Sequence, residues 1–175
     1  VLDIPQPGAH GIIGDRAFDP DPYIVAALGL AVCEGLMDGG VLPVLKHIPG
    51  HGRATADSHE NLPRVDAEAT LLRHRDFVPF QGLSHMPFAM TAHIVYTVYD
   101  DRNPATVSSR MIHNVIRDEI GFSGALMSDD LNMKALRGTL AERTRGAQQA
   151  GCDLALHCSG DLDEMRSVAD ALVPA

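Results

Sequence analysis

Apolar residues recur along the chain in short runs that each end in polar positions: VLDI at 1–4, GVLPVLKH at 40–47, FAMTAHIVY at 88–96, GALMSDD at 124–130 and CDLALHC at 152–158. Between these runs the apolar positions return at helical spacing. Over Pro22–Met37, the residues Ile24, Val25, Leu28, Val32 and Leu36 fall on one stripe, and Pro22 suits a first helical turn. Segments 66–77, 108–120 and 140–150 read the same way. Strands alternating with helices predict βαβ units around a parallel sheet. The near-continuous apolarity of the runs fits strands covered on both faces. The fold class expected is therefore α/β.

Polar residues gather at the C-terminal ends of the runs: Lys46 and His47, His93, Asp129 and Asp130, and His157. In a parallel sheet or barrel that is the face where ligands bind and chemistry occurs. No Gly-rich phosphate fingerprint follows any run, which favours a barrel over a doubly wound nucleotide-binding sheet. No linker, repeat or low-complexity segment divides the 175 residues, so a single domain is expected.

Composition narrows the partners. The chain has 23 acidic and 14 basic residues, a formal charge of −9, and no Lys/Arg cluster, so a phosphate backbone would be repelled. No apolar run reaches the length of a bilayer span, and VLDIPQPG is not a secretion signal, which points to a cytoplasmic protein. Cys33, Cys152 and Cys158 lack metal-ligand spacing and are expected to be free thiols packed in the core.

The segment KHIPGHGRATADSH, Lys46–His59, carries the densest chemistry. Pro49, Gly50 and Gly52 prevent a helix from following the strand directly. The loop instead brings His47, His51, Asp57 and His59 within a short reach. In an extended segment Asp57 and His59 face the same side, so the carboxylate can fix the tautomer of the imidazole and stabilise its charged form. A solvated turn closed by Asp57 is the simpler alternative. A zinc site from the same four side chains is disfavoured, because His47 and His51 are separated by Pro49 and Gly50 and lie beside Lys46. No metal and no cofactor are expected.

At the end of GFSGALMSDDLNMKAL, Asp129 and Asp130 should point to opposite sides of a strand. Asp130, followed by LNMKAL, is expected to cap a helix.

Taken together, KHIPGHG at 46–52, DSH at 57–59 and SDDL at 128–131 resemble the bacterial β-N-acetylhexosaminidases of glycoside hydrolase family 3, the NagZ type. VLD at 1–3, IGDRAF at 13–18, MTAHIVY at 90–96 and AGCDLAL at 150–156 agree in order, so the resemblance runs over nearly the whole chain. It implies a (β/α)8 barrel of which about the last five strands are present. Residues 1–175 would then be the C-terminal portion of one barrel domain lacking its N-terminal part. It also implies Asp129 as nucleophile, His59 as general acid/base with Asp57 as its partner, and Arg16, Lys46 and His47 as the residues that hydrogen-bond the sugar hydroxyls. Arg16 pairing with Asp15 or Asp19, and Lys46 as a surface charge, are the structural alternatives. The implied activity is a retaining exo-β-N-acetylglucosaminidase that removes terminal β-linked N-acetylglucosamine from peptidoglycan-recycling fragments, in the cytoplasm and as a monomer. Another family 3 β-glycosidase, a metal-dependent hydrolase and an inactive truncated sugar-binding domain are the competing readings.

Overall fold

The computed structural model describes residues 1–56 and 62–173. It is an α/β fold with two parallel sheets. Strands β1 (Val44–Ile48), β3 (Phe88–Thr91) and β5 (Ala125–Met127) form the larger sheet in the order β1-β3-β5, and β2 (Arg64–Val65) pairs with β4 (Val95–Tyr96). The register Leu45↔Ala89 and Ala89↔Leu126 aligns the three strand ends, so the segments leaving them emerge on one edge.

Two runs read as strands flank this sheet without joining it as strands. Residues 1–4 are irregular, and Leu2 N–H donates to the Lys46 carbonyl at 2.7 Å. A charged Asp3 in the middle of the run, bonded through its carboxylate, takes the place of a continuous ladder. Residues 152–158 run beside β5 through a single parallel bridge between Met127 and Leu154. The run 88–96 divides into β3 and β4, and Ala92 between them donates its N–H to the Ile48 carbonyl at the end of β1.

The helices follow their local signals. In α1 (Pro22–Asp38), Asp21 accepts from Tyr23 and Ile24 N–H, and Pro22 opens the first turn. In α4 (Leu140–Ala150), Thr139 and Glu142 form a capping box, and Gly151 closes the helix at φ 116°. The 66–77 stretch becomes a short α2 (Ala69–Leu71) running into a π-helical turn, Leu72–Asp76, and then α3 (Val78–Gly82). The 108–120 stretch is a π-helix over Met111–Glu119. A further helix, α5 (Leu162–Ala171), capped by Asp161, was not indicated by the apolar spacing.

The apolar stripe of α1 does not face the core as expected. Val25, Gly29 and Cys33 are buried, whereas Ile24, Leu28, Val32 and Leu36 are exposed. The helix is apolar around most of its circumference, so periodicity alone selects no face. Close approach selects it instead: a Cβ on Gly29 would lie 2.5 Å from Leu2 Cδ2. The small-residue side is the one that fits.

The core centres on Phe77, Phe80, Tyr96 and Phe122, packed with Ile48, Leu72 and Leu126 under the sheet. Among the described residues no helix is long and apolar enough to cross a membrane.

Candidate active site

The β1 strand end is built on a carboxylate that the chain buries completely. Asp3 is 0% exposed. It accepts from His47 N–H at 3.1 Å and from His51 N–H at 2.7 Å, and its second oxygen lies 2.8 Å from His47 Nδ1. Burial pushes the Asp3 carboxyl up, but the His47 ring and the hydrogen bonds from His47 and His51 outweigh it and hold the group below its ordinary value. With Nδ1 committed to Asp3, His47 has Nε2 left for the cavity it borders. His51 meets the His47 ring edge to face at 5.4 Å, and burial lowers its pKa against the opposing pull of Asp3.

The β1 register slips between Leu45 and Ile48, and the Lys46–His47 and Ile48–Pro49 peptides are cis. An irregular strand relaxes strict alternation, and Lys46 and His47 border the same cavity. Lys46 is half-buried there rather than a surface charge. The loop beyond is held by Tyr96 O–H donating to the Gly50 carbonyl at 2.8 Å and by Arg53 paired with buried Asp76 at 2.8 Å. At Gly52 a Cβ would sit 1.8 Å from the Ile4 carbonyl oxygen, so the two backbones pass with no room for a side chain.

The β5 end is organised differently. Ser128 is buried, its N–H donates to the Leu154 carbonyl, and its hydroxyl accepts from Leu156 N–H at 2.9 Å. Asp129 is half-buried, and Oδ1 accepts from Asp130 N–H at 2.8 Å. Asp130 does not cap a helix, since residues 131–136 are turns. Its Oδ1 accepts from Asn132 N–H at 3.0 Å and Cys158 N–H at 3.2 Å, tying two separate runs together. Because β5 ends at Met127, the alternation rule stops short of this pair, and both acids border the cavity.

Arg16 comes from a third place. It ends a short 3-10 turn, Gly14–Arg16, and its guanidinium donates to the carbonyls of Ile12 and Ile13. Among the described residues it makes no ion pair with Asp15 or Asp19.

Arg16, Lys46, His47 and Asp129 therefore meet around one cavity of about 310 Å³, with His51, Asp130 and Met90 in its walls. That is the lower end of small-molecule pocket sizes. Donors of Arg16 and Lys46 share this cavity with the Asp129 carboxylate, a mixed set of donors and acceptors that suits a polyhydroxylated ligand. Asp57 and His59 lie outside the described residues. Cys33 and Cys152 are buried as expected, but Cys158 is exposed and reaches the cavity rim, where burial and the Asp130 and Asp129 charges raise its pKa. Asp3 carries no separate sequence motif, yet a charge inside an apolar run is the signal for it, since a buried carboxylate requires partners.

Known proteins match the chain throughout. The family model described as "Glycosyl hydrolase family 3 N terminal domain" matches residues 1–173. A Beta-hexosaminidase of Alkalilimnicola ehrlichii is 43% identical over 163 residues, covering 91% of this chain and 46% of that protein. One of Thiobacillus denitrificans is 41% identical over 184 residues, covering 100% of this chain and 50% of that protein. The chain thus spans about half the length of the curated relatives it matches. A glycoside hydrolase family 3 β-N-acetylglucosaminidase from Paenibacillus superposes with TM-score 0.91 at 34% identity, over 97% of this chain and 33% of that one. NagZ from Neisseria gonorrhoeae in complex with N-trifluoroacetyl-D-glucosamine superposes with TM-score 0.87 at 37% identity, over 98% of this chain and 49% of that one.

Proposed function

This chain belongs to glycosyl hydrolase family 3, and from that premise we propose that it carries the reacting half of a retaining exo-β-N-acetylglucosaminidase. The observation that supports this best is the convergence of Arg16, Lys46 and His47 on the cavity that holds the Asp129 carboxylate. The names of the relatives add the substrate class: two are Beta-hexosaminidases, and the Neisseria structure holds an N-acylated glucosamine analogue.

In this reading Arg16, Lys46 and His47 hydrogen-bond the hydroxyls of a terminal β-linked N-acetylglucosamine and set its anomeric carbon against Asp129. The carboxylate attacks that carbon while His59, oriented by Asp57, gives its proton to the departing oxygen. A carbon–oxygen bond to Asp129 forms as the glycosidic bond breaks. His59 then takes a proton from water, which displaces Asp129 and releases the sugar with retained configuration. The substrate would be a fragment of recycled peptidoglycan, met in the cytoplasm. The apolar runs would belong to a (β/α)8 barrel, of which residues 1–175 form a C-terminal portion.

A fluorinated N-acetylglucosaminide that traps the intermediate is expected to label Asp129, read by peptide mass mapping. Label on any other residue rejects the nucleophile. A His59→Ala variant should lose most activity on substrates with poor leaving groups and far less on activated aryl glycosides. Equal losses on both would count against His59 as the acid.

A further inference from the structure

His93 lies just beyond β3, 1% exposed, and both ring nitrogens have partners. Nε2 is 3.0 Å from the Asp130 carbonyl oxygen and Nδ1 is 2.7 Å from Thr106 Oγ1. A carbonyl can only accept, so Nε2 carries the proton. Burial disfavours the imidazolium, against the opposing pull of Asp129, so the ring is neutral with its lone pair on Nδ1. The Thr106 hydroxyl must then donate to Nδ1, a shorter contact than its alternative to the Ala92 carbonyl at 3.3 Å. Its oxygen in turn accepts from Thr91 Oγ1 at 2.8 Å. Thr91 and Thr106 are both 0% exposed. The protons therefore point one way, from Thr91 to Thr106 to His93 to the carbonyl of Asp130.

What that carbonyl belongs to gives the relay its consequence. Among the described residues, the sole hydrogen bond to the Asp129 carboxylate comes from Asp130 N–H. Asp130 is held at its carboxylate by Asn132 and Cys158 N–H, and at its carbonyl by Met133 N–H and His93. The backbone of Asp130 is thus the mount for the Asp129 carboxylate, and among the described residues His93 is the one other side chain that bonds that backbone, from the segment just beyond β3.

We propose that His93 is a positioning residue that aims the Asp129 carboxylate by holding the Asp130 carbonyl through a Thr91–Thr106–His93 hydrogen-bond relay. The inference rests on the reading of Asp129 as nucleophile.

Two replacement side chains distinguish the two ends of the ring. In His93→Asn the amide can reach Thr106 but stops short of Asp130, whereas in His93→Gln it extends to Asp130. A misaimed reacting group costs up to roughly a hundredfold in rate. His93→Asn is expected to lower kcat about tenfold to a hundredfold with KM within about twofold, and His93→Gln to restore most of the loss. Equal loss in both variants, loss confined to KM, or loss that follows only the unfolded fraction in thermal melts overturns the proposal. Ring nitrogen NMR on the wild-type protein supplies an arm that does not depend on turnover. Above the ordinary imidazole pKa of about 6.5, Nε2 should carry the proton and Nδ1 stay bare, and a proton on Nδ1 in the neutral ring sinks the relay. Turnover surviving in Asp129→Asn defeats the nucleophile reading. Wild-type kcat in His93→Asn, where Asp129→Asn is dead, defeats this inference alone.

Discussion

The two strand ends that face each other across the cavity are fastened in opposite ways. At β1, buried side-chain charge holds the loop: Asp3 takes the His47 and His51 amides, and Asp76 pairs with the Arg53 side chain. At β5, backbone groups hold the side chains: the amides of Asp130, Asn132 and Cys158 fix two carboxylates. The β1 anchors are buried and removed from ligand, while Asp129 at the β5 end keeps an open oxygen among the described contacts. A wall that must bind without reacting can satisfy its charges internally. On the function proposed above, the wall that reacts has to leave one charge available to the ligand. Stability should therefore reside on the β1 side and turnover on the β5 side.

The sharpest way to break this comparison is to exchange its outcomes. Asp129→Asn should cut turnover on the order of 10³-fold or more with little change in melting temperature, read by steady-state kinetics and thermal melts. A large drop in melting temperature would erase the distinction. Asp3→Ala should do the reverse and cost about 3–5 kcal/mol, because it leaves the histidines of the β1 loop without the charge that organises them. The denaturant midpoint measures it.

A finer test uses proton linkage within the β1 side. The Asp3 pKa is lowered by the fold, so its contribution is present above the unfolded carboxylate pKa near about 4 and disappears as the pH falls below it. The Asp76 pKa is raised, since burial outweighs its Arg53 partner, so stability from this group declines as pH rises from about 4 toward its folded pKa. The melting-temperature difference between wild type and Asp3→Asn should therefore grow with pH, and that between wild type and Asp76→Asn should shrink. Slopes of the same sign would show that the two anchors do not work as described. The smallest expected effect is that of Tyr96→Phe, which deletes one buried bond to Gly50. It should cost about 1 kcal/mol in a denaturant titration and leave kcat unchanged.

Sequence reading reached the parts of this site that local rules govern. Lys46, His47 and Asp129 were visible because polar residues at the ends of apolar runs mark one edge of a parallel sheet. Helix α4 was bounded correctly because its capping box and terminal glycine are local signals. Asp3 was legible only as a charge inside an apolar run, and its partner was not, since its bond to His47 spans 44 residues. The expected helix after Asp130 fails because its carboxylate bonds both Asn132 two residues on and Cys158 from another run, which stabilises turns instead. The buried face of α1 was not legible, because its choice depends on Leu2 approaching Gly29, a contact no periodicity encodes. Asp57 and His59, outside the described residues, rest on the family resemblance.

The close passage of Gly52 over the Ile4 carbonyl has a consequence for how this protein would look in a saturation mutagenesis screen. With 1.8 Å available, every replacement at position 52 has to displace the backbone beside Asp3, and the displacement lands on His47. A screen scored on activity would thus give Gly52 the profile of a reacting residue, intolerant of all substitutions, although it carries no functional group. Scoring abundance alongside activity separates the two cases: Gly52 variants should be depleted in both columns, and Asp129 variants in activity alone.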